Sequence, residues 1–514
     1  SDKTGAVSNV EADELQGGVV TDPIQTLQGK AAGVSVTKKG GDPNEGFSVR
    51  IRGASGFSAK TQPLYVIDGV PGADPTIIAP EDIESINILK DAASTAIYGS
   101  RGANGVVIMT TKKGKRAQVA AGEKPYSRVS ISSQLSFARV ARKLDLLNAD
   151  EMRGFAQTLL QEALPTNPSY TVDSVFTDGG ASTDWQDEIY RTGINLSNNI
   201  SLTGGNARSS YFASITQANW EGVTKGTSKD RTSARLNLTH TALDDMLRFS
   251  GNLVGTFEKN DYENYDGWDK DDIIYQALSR NPTDPVYTAN GDYYQTNRVF
   301  NYENPLAIID QVVNDRDAKR FLGNFRADIE PIKGLIFSGN FSYIRNDHLK
   351  TYFRPKNIYA TADNGHGKQE YENTTEKIME LTATYNTTLG EGHNLDLLGG
   401  YSWQDNITNG FSAKGDDAQA VYPGNNNLQI LNDIKWGDIT SWKRKWTLIG
   451  FFGRAQYNYR NTYYASASLR RDGSSKFGAN SKWGWFPTIA LGWTMTNEEF
   501  LQGVKWLDQL KLRA

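Results

Sequence analysis

Residues 248–258 read Arg-Phe-Ser-Gly-Asn-Leu-Val-Gly-Thr-Phe-Glu. Phe249, Gly251, Leu253, Gly255 and Phe257 fall on one side of an extended chain. Ser250, Asn252, Thr256 and Glu258 fall on the other, with Val254 out of place among the polar residues. The same two-residue period returns in 335–343, where Leu335, Phe337, Gly339, Phe341 and Tyr343 alternate with Ser338, Asn340 and Ser342. It returns again in 449–460, where Ile449, Phe451, Ala455, Tyr457 and Tyr459 alternate with Arg454, Gln456, Asn458 and Arg460. One face is apolar and ends in tyrosine; the other is polar and often charged. Strands of this length suit a barrel whose outside meets lipid and whose lumen is wet. The strands of a soluble antiparallel sandwich have a mode of ~5–6 residues.

The connections give an independent test. The pattern predicts strands at 126–138, 197–203, 208–218, 231–243, 246–258, 319–331, 334–347, 374–389, 394–404, 444–460, 462–471, 485–495 and one starting at 507. Between them, tight turns (204–207, 244–245, 332–333, 390–393, 461) alternate with longer segments (139–196, 219–230, 259–318, 348–373, 405–443, 472–484). Outer-membrane barrels sort their loops this way, with short periplasmic turns and long outer loops. It follows that the first strand rises from the periplasm and that residues 1–114 enter from that side. Twelve to thirteen strands fit into 126–514, whereas plugged transporter barrels have ~22. An open half-barrel leaves unpaired backbone in lipid, so the expectation is an N-terminal half-barrel cut from a longer chain.

Composition excludes several classes. The 514 residues carry 55 Lys+Arg against 59 Asp+Glu, a formal charge of −4, which argues against a nucleic-acid partner. There is no cysteine, so disulfide scaffolds, thiolate metal sites and a cysteine nucleophile are out. His240, His348, His366 and His393 show no metal-ligand spacing. No run of ~18 apolar residues exists, so no transmembrane helix is expected. A mean hydropathy of −0.54 does not argue for solubility, because the two faces of a barrel strand average out.

Residues 1–114 follow another grammar. Short runs such as Gly33-Val34-Ser35-Val36, 47–52 (FSVRIR) and 64–69 (LYVIDG) are set among glycines. Helical stretches are expected near 80–84 and 91–98, and 105–111 (GVVIMTT) closes the unit. This reads as a compact α+β domain. Residues 115–125 read as a linker, and 126–514 as barrel. Gly99, Gly102 and Gly105 are not at dinucleotide or P-loop spacing and are read as turn residues. Asp244 and Asp245 sit in a tight turn, and no nucleophile–base constellation is present, so no enzyme is expected.

The runs at 27–36 (LQGKAAGVSV), 49–57 (VRIRGASGF), 63–71 (PLYVIDGVP), 82–114 (DIESINILKDAASTAIYGSRGANGVVIMTTKKG), 470–478 (RRDGSSKFG) and 484–493 (GWFPTIALGW) resemble the SusC/RagA-type TonB-dependent transporters of Bacteroidetes outer membranes. The likeness covers nearly the whole chain. It implies a mainly β fold, with an N-terminal α+β plug inside a transmembrane antiparallel barrel of 22 strands. It further implies outer-membrane lipid around the barrel, TonB as energy source, a SusD-like surface lipoprotein as lid, and an oligosaccharide or oligopeptide substrate. Two transporter–lid pairs per assembly is a further family expectation. The signal peptide, N-terminal extension and TonB box usual in such proteins are not visible in this sequence. Two alternatives stay open: a siderophore or cobalamin receptor, and a soluble all-β glycan-binding module.

Three groups of residues are candidates for function. Arg50, Arg52 and Arg101, near Asp68, Glu81, Asp82, Glu84 and Asp91, are expected to hold the plug against a charged barrel wall. The plug loops 38–45 and 54–62 are expected to face substrate, with Asn44, Glu45, Phe57 and Ser58 as contacts; Phe57 offers a stacking face. The outer loop 259–318 opens on an acidic–aromatic cluster in which Tyr262, Tyr265 and Trp268 suit a sugar or a cationic peptide. Its carboxylates also admit calcium, although not at EF-hand spacing. No cofactor motif is present. Residues 148–163 are expected to form a helix capped by Asn148 with Glu151.

Overall fold

The computed structural model describes residues 7–11, 14, 20–38, 40–51, 62–91, 95–116, 126–262, 272–296, 302–356, 358, 364–419, 426–501, 504 and 506–514. Among the described residues seven strands precede residue 114: β1 (Val7–Glu11), β2 (Val34–Lys38), β3 (Phe47–Ile51), β4 (Leu64–Ile67), β5 (Val70–Pro71), β6 (Ile83–Leu89) and β7 (Val106–Thr111). Five form one sheet in the order β1-β6-β7-β4-β5, with β4 and β7 parallel, and β2 and β3 form a separate hairpin. The expected helical stretches are realised among the described residues as short 3-10 turns at Pro80–Asp82 and Ala96–Gly102. The first ends where Ile83 turns extended and opens β6; the second follows an α-type bond from Thr95 N to Asp91 O at 3.1 Å and is broken at Gly99, at φ 60°.

The barrel strands follow in chain order: β8 (Tyr126–Ala138), β9 (Gly193–Gly205), β10 (Ser209–Glu221), β11 (Ser228–Ala242), β12 (Leu247–Asp261), β13 (Val313–Ile332) and β14 (Leu335–Arg354). After them come β15 (His366–Leu389), β16 (His393–Ala418), the short β17 (Leu431–Asp433), β18 (Ile439–Tyr459), β19 (Tyr463–Ser474), β20 (Trp483–Thr494) and β21 (Lys511–Arg513). Together they make one 14-stranded antiparallel sheet in which sequence neighbours pair, except that β16 pairs both β17 and β18. Among the described residues it runs from β8 to β21 without closing on itself. No helix of the described residues is long and apolar enough to cross a membrane.

Tight turns at 206–208, 243–246, 333–334, 390–392 and 460–462 alternate with longer connections from β8 to β20; the connection 495–510 before β21, at the short-turn end, is long and departs from the pattern. Leu243, Asp244 and Asp245 all take positive φ, as do Arg460 and Asn461. Arg460 is therefore a turn residue rather than a lumen-facing one.

The strands run further toward the long-loop end than the hydrophobic pattern predicts. β15 begins at His366, and β16 extends to Ala418. Beyond the bilayer both faces of a strand meet water, so the period in 370–377 (EYENTTEK) vanishes while the backbone ladder to β16 continues unbroken.

The outward face is apolar and exposed, as at Phe257 (60%), Phe325 (53%) and Ile489 (77%). The inward face is mostly polar; on β10 it also carries the rings of Phe212 and Trp220, under the guanidinium groups of Arg235 and Arg231, and on β12 to β14 it carries an apolar row. Val254, Leu322 and Ile344 lie opposite one another on β12, β13 and β14. With Ile378 they are buried in the same hydrophobic cluster as the plug residues Leu27, Val49, Ile67, Ile86 and Met109. Val254 thus breaks the alternation because the plug covers it.

Candidate functional site

The seam between plug and wall is built outward from that apolar row. The chain reverses from β4 to β5 at Asp68 and Gly69, both at positive φ, which suits a two-residue hairpin turn. The turn presents the Asp68 carboxylate, which accepts from Thr111 N at 3.0 Å and from the Thr111 hydroxyl. On the wall, Asn252 donates to Asp68 at 3.0 Å and Arg235 approaches it at 3.8 Å. Arg235 also donates to Lys112 O at 2.9 Å. Both members of this pair are almost wholly buried; Asp68 also has Lys113 at 3.9 Å, whereas removing Asp68 takes from the buried Arg235 its ion-pair partner.

Toward the long-loop end, Asp74 caps a 3-10 turn by accepting from Thr76 N at 2.9 Å. Arg320 of β13 reaches Asp74 at 3.3 Å and donates to the Thr76 hydroxyl. The Thr256 hydroxyl of β12 donates to Ile77 O at 3.1 Å. Behind this contact Glu258 is fully buried, with Lys229, Arg316 and Arg320 at 3.7, 3.7 and 3.5 Å. Two plug carboxylates next to each other meet separate strands: Ser197 of β9 donates to Glu81, and Ser214 of β10 to Asp82, each at 2.6 Å. Burial holds the Asp82 and Asp22 carboxyls above their ordinary range.

A second contact joins the two most distinctive runs in the sequence. Arg470 of β19 donates to Ile97 O at 2.6 Å, to Asp472 at 2.7 Å and to Ser402 at 3.1 Å. Gly99 lies directly on this pair; a Cβ there would collide with Asp472 and sit 2.8 Å from Arg470 Nε. The glycine is therefore required twice, by its φ and by the close approach. Nearby, Arg101 donates to Gln404, which donates to Glu376; Asn406 also donates to Glu376, at 3.1 Å. Burial lowers the Arg101 guanidinium from its ordinary value.

At the outer end, Asn44 spans two strands. Its amide donates to Ser228 O at 2.9 Å and Asp261 O at 2.6 Å, and accepts from Asn260 at 2.8 Å. The outer loops line an open cavity of about 840 Å³, whose walls include Leu146, Leu147, Met152, Trp185 and Arg280. The Arg280 guanidinium is fully buried, 5.0 Å from the Trp185 ring and 4.9 Å from the Tyr302 ring. The first outer loop carries the expected helix, Ala149–Ala163, whose capping box joins Asn148 and Glu151.

Residues 1–106 match the family model described as the TonB-dependent Receptor Plug Domain. Over its whole length the chain is 35% identical to TonB-dependent receptor P3 of Formosa agariphila, covering 49% of that protein. It is 32% identical to TonB-dependent receptor SusC of Bacteroides thetaiotaomicron, covering 51%. Over its whole length the chain is similar to SusC-type TonB-dependent receptors. It spans about half the length of the curated relatives it matches. In fold it is similar to the RagAB peptide transporter, with a TM-score of 0.86 at 23% identity over 99% of this chain and 60% of that one. It is less similar to the ferric citrate transporter FecA, with a TM-score of 0.56 at 10% identity over 97% and 61%.

The sequence-predicted residues separate into three groups. Arg101 meets the wall. Arg50 does not: it is exposed on β3, whose hairpin partner presents Ser35 opposite it. Asn44 was expected at substrate, but its amide is taken up by the wall, because the loop 40–46 lies against the β11–β12 edge. Glu45 beside it is half-buried, its N–H donating to Asp42 O at 3.3 Å. Tyr262 is half-buried under the Arg316 guanidinium, 5.3 Å from its ring, and burial pushes its hydroxyl up to about 12. Arg52, Phe57, Ser58, Tyr265 and Trp268 lie outside the described residues, as does most of the acidic cluster on which the calcium expectation rests. Asp244 and Asp245 are turn residues; Asp245 pairs with Arg116 at 2.9 Å. Sequence reasoning missed the wall charges Arg235, Glu258 and Arg320. The visible signal was a charge on the inward-facing parity of an otherwise Ser/Asn/Thr face.

Proposed function

We propose that the complete receptor imports a nutrient oligomer across the outer membrane, drawing energy through TonB and using a SusD-like surface lipoprotein as its lid. The observation that carries this reading is the character of the plug seam. Its contacts are mostly hydrogen bonds and ion pairs along a polar wall, with a single apolar row of Val254, Leu322, Ile344 and Ile378. Water can replace such polar contacts one by one, so a pull on the plug can release it without exposing a whole hydrophobic core. The substrate is an oligopeptide or an oligosaccharide. The fold neighbour described as a peptide transporter supports the first, and the relative named SusC leaves the second open. The outer cavity beside Trp185 and Arg280 is the place where substrate or lid first meets the barrel.

The test is uptake of labelled oligopeptide and oligosaccharide libraries by cells carrying the full-length receptor, with and without TonB. Import that disappears without TonB supports the reading; import that continues unchanged overturns it.

A further inference from the structure

The two rims of the barrel are chemically unlike. At the short-turn end the apolar belt closes on rings: His393, Tyr459, Tyr463 and Trp493 stand in a row with centroids 4.4, 6.4 and 6.4 Å apart. At the long-loop end the outward residue just beyond the belt is a cation on strand after strand. These are Lys259 on β12, Lys319 on β13, Arg345 on β14, Lys377 on β15, Lys445 on β18 and Arg471 on β19. β16 carries Asp405 at this level, and Lys445 pairs with it at 3.3 Å.

The register makes the pattern regular. Phe257 faces Lys319, Phe321 faces Arg345, Tyr343 faces Lys377 and Phe451 faces Arg471. Four of the six cations thus lie opposite an outward ring of the neighbouring strand, while Lys259 faces Asp317 and Lys445 faces Ile407. From β12 to β15 the step is two residues in the same direction each time, the stagger that tilted barrel strands need to keep residues near one height. Carboxylates stand one step further out: Asp317 beyond Lys319, and Asp347 beyond Arg345, with which it pairs at 2.8 Å. Lys319, Lys377 and Arg471 make no ion pair among the described residues. The Arg471 guanidinium instead lies 4.8 and 5.0 Å from the rings of Trp483 and Trp485, which hold it at the belt's edge.

We propose that this collar binds the phosphate groups of anionic lipid in the outer leaflet, with Lys319, Lys377 and Arg471 as the direct contacts. Three features select this partner. The cations sit where acyl chains end and headgroups begin, they point away from the lumen, and at the opposite rim the strand ends named above carry rings, with exposed cations such as Arg208, Lys333 and Arg460 in the turns beyond them. Cations at a charged lipid surface each strengthen binding by roughly fivefold. The proposal rests on the outer-membrane reading above.

The experiment uses the full-length receptor, delipidated in detergent and then inserted into vesicles. The probe lipids are a diphosphorylated glucosamine glycolipid and its dephosphorylated counterpart, and bound lipid is counted by native mass spectrometry. The wild type is expected to retain the phosphorylated lipid about tenfold better. The combined variant Lys319→Gln, Lys377→Gln, Arg471→Gln should lose that preference, and Lys319→Arg, Lys377→Arg, Arg471→Lys should keep it. Equal retention of the two lipids by the wild type, or an unchanged preference in the glutamine variant, overturns the proposal. Failure of the wild type to insert into vesicles would overturn the membrane reading together with it; insertion without phosphate preference overturns the collar alone.

Discussion

The two faces of β12, β13 and β14 share a backbone and obey opposite rules. Outward, Leu253, Phe257, Phe321, Phe325, Phe337 and Phe341 are exposed, which no soluble protein would tolerate over so wide a surface. Inward, Asn252, Thr256, Asn324, Asn340 and Ser342 are buried. The comparison teaches that burial here does not track hydrophobicity. The outer face is apolar, as a barrel face that meets lipid must be, and the inner face is polar where it receives the plug; under the proposed function that polarity is what lets the plug be released.

The comparison breaks most severely at the apolar row of Val254, Leu322 and Ile344. Leu322→Asp puts a charge into the apolar row, and the plug should no longer dock: amide exchange of 83–111 should become fast while the barrel strands stay protected. Leu322→Ala should weaken docking by about 2–5 kcal/mol through the cavity it leaves. Phe325→Ala, three residues away but outward, should leave plug exchange unchanged. Should both positions loosen the plug equally, the inward–outward distinction is wrong.

Next in size is the buried pair. Asp68→Ala leaves Arg235 buried without its carboxylate and should cost the seam about 3–5 kcal/mol, read as a lower denaturant midpoint for plug release. Gly99→Ala follows. Its positive φ alone costs about 1–3 kcal/mol, and the added methyl must also displace Asp472 or Arg470. The same substitution at Gly46, where a Cβ would meet no atom within 4 Å, is the control and should leave docking intact.

A smaller effect is expected from pH. The docked plug holds the Asp82 and Asp22 carboxyls above their ordinary range by burial, so their protonated forms favour the docked state. That contribution is complete below the ordinary carboxylate pKa and is lost as pH rises through the raised one. Plug release should therefore need more denaturant at acid pH than at neutral pH, and Asp82→Asn should flatten the dependence. The smallest change is predicted at Arg153, whose bonds to Asp178 lie on the outer loop: Arg153→Ala should alter neither docking nor pH response.

How much of this was legible in the sequence depended on which solvent each residue meets. The strand positions and the alternation of short and long connections could be read, because lipid on one side and water on the other impose a strict period. Strand length at the outer end could not, because beyond the bilayer the period has no cause although the ladder continues. Val254 was visible as an anomaly, but its partners Leu322 and Ile344 gain meaning only from register. The charges told least. Arg101 and Arg50 look equivalent in sequence, yet one is aimed at Gln404 and the other stands exposed on a hairpin. Asn44 reads as a loop-tip residue free to meet a ligand, and only the fold shows its amide taken by Ser228, Asn260 and Asp261.

The central claim is that the plug is held on this wall and must leave it for import. Gly41 of the plug and Val223 of the second outer connection test it directly, since a Cβ built on Gly41 lies 3.8 Å from the Val223 Cβ, the mean spacing for a disulfide. The chain contains no other cysteine. In the full-length receptor, Gly41→Cys with Val223→Cys should bridge under mild oxidation and stop uptake, and reduction should restore it. A pair that never bridges contradicts the docked arrangement, and a bridged receptor that imports at the wild-type rate contradicts the claim that the plug leaves the wall.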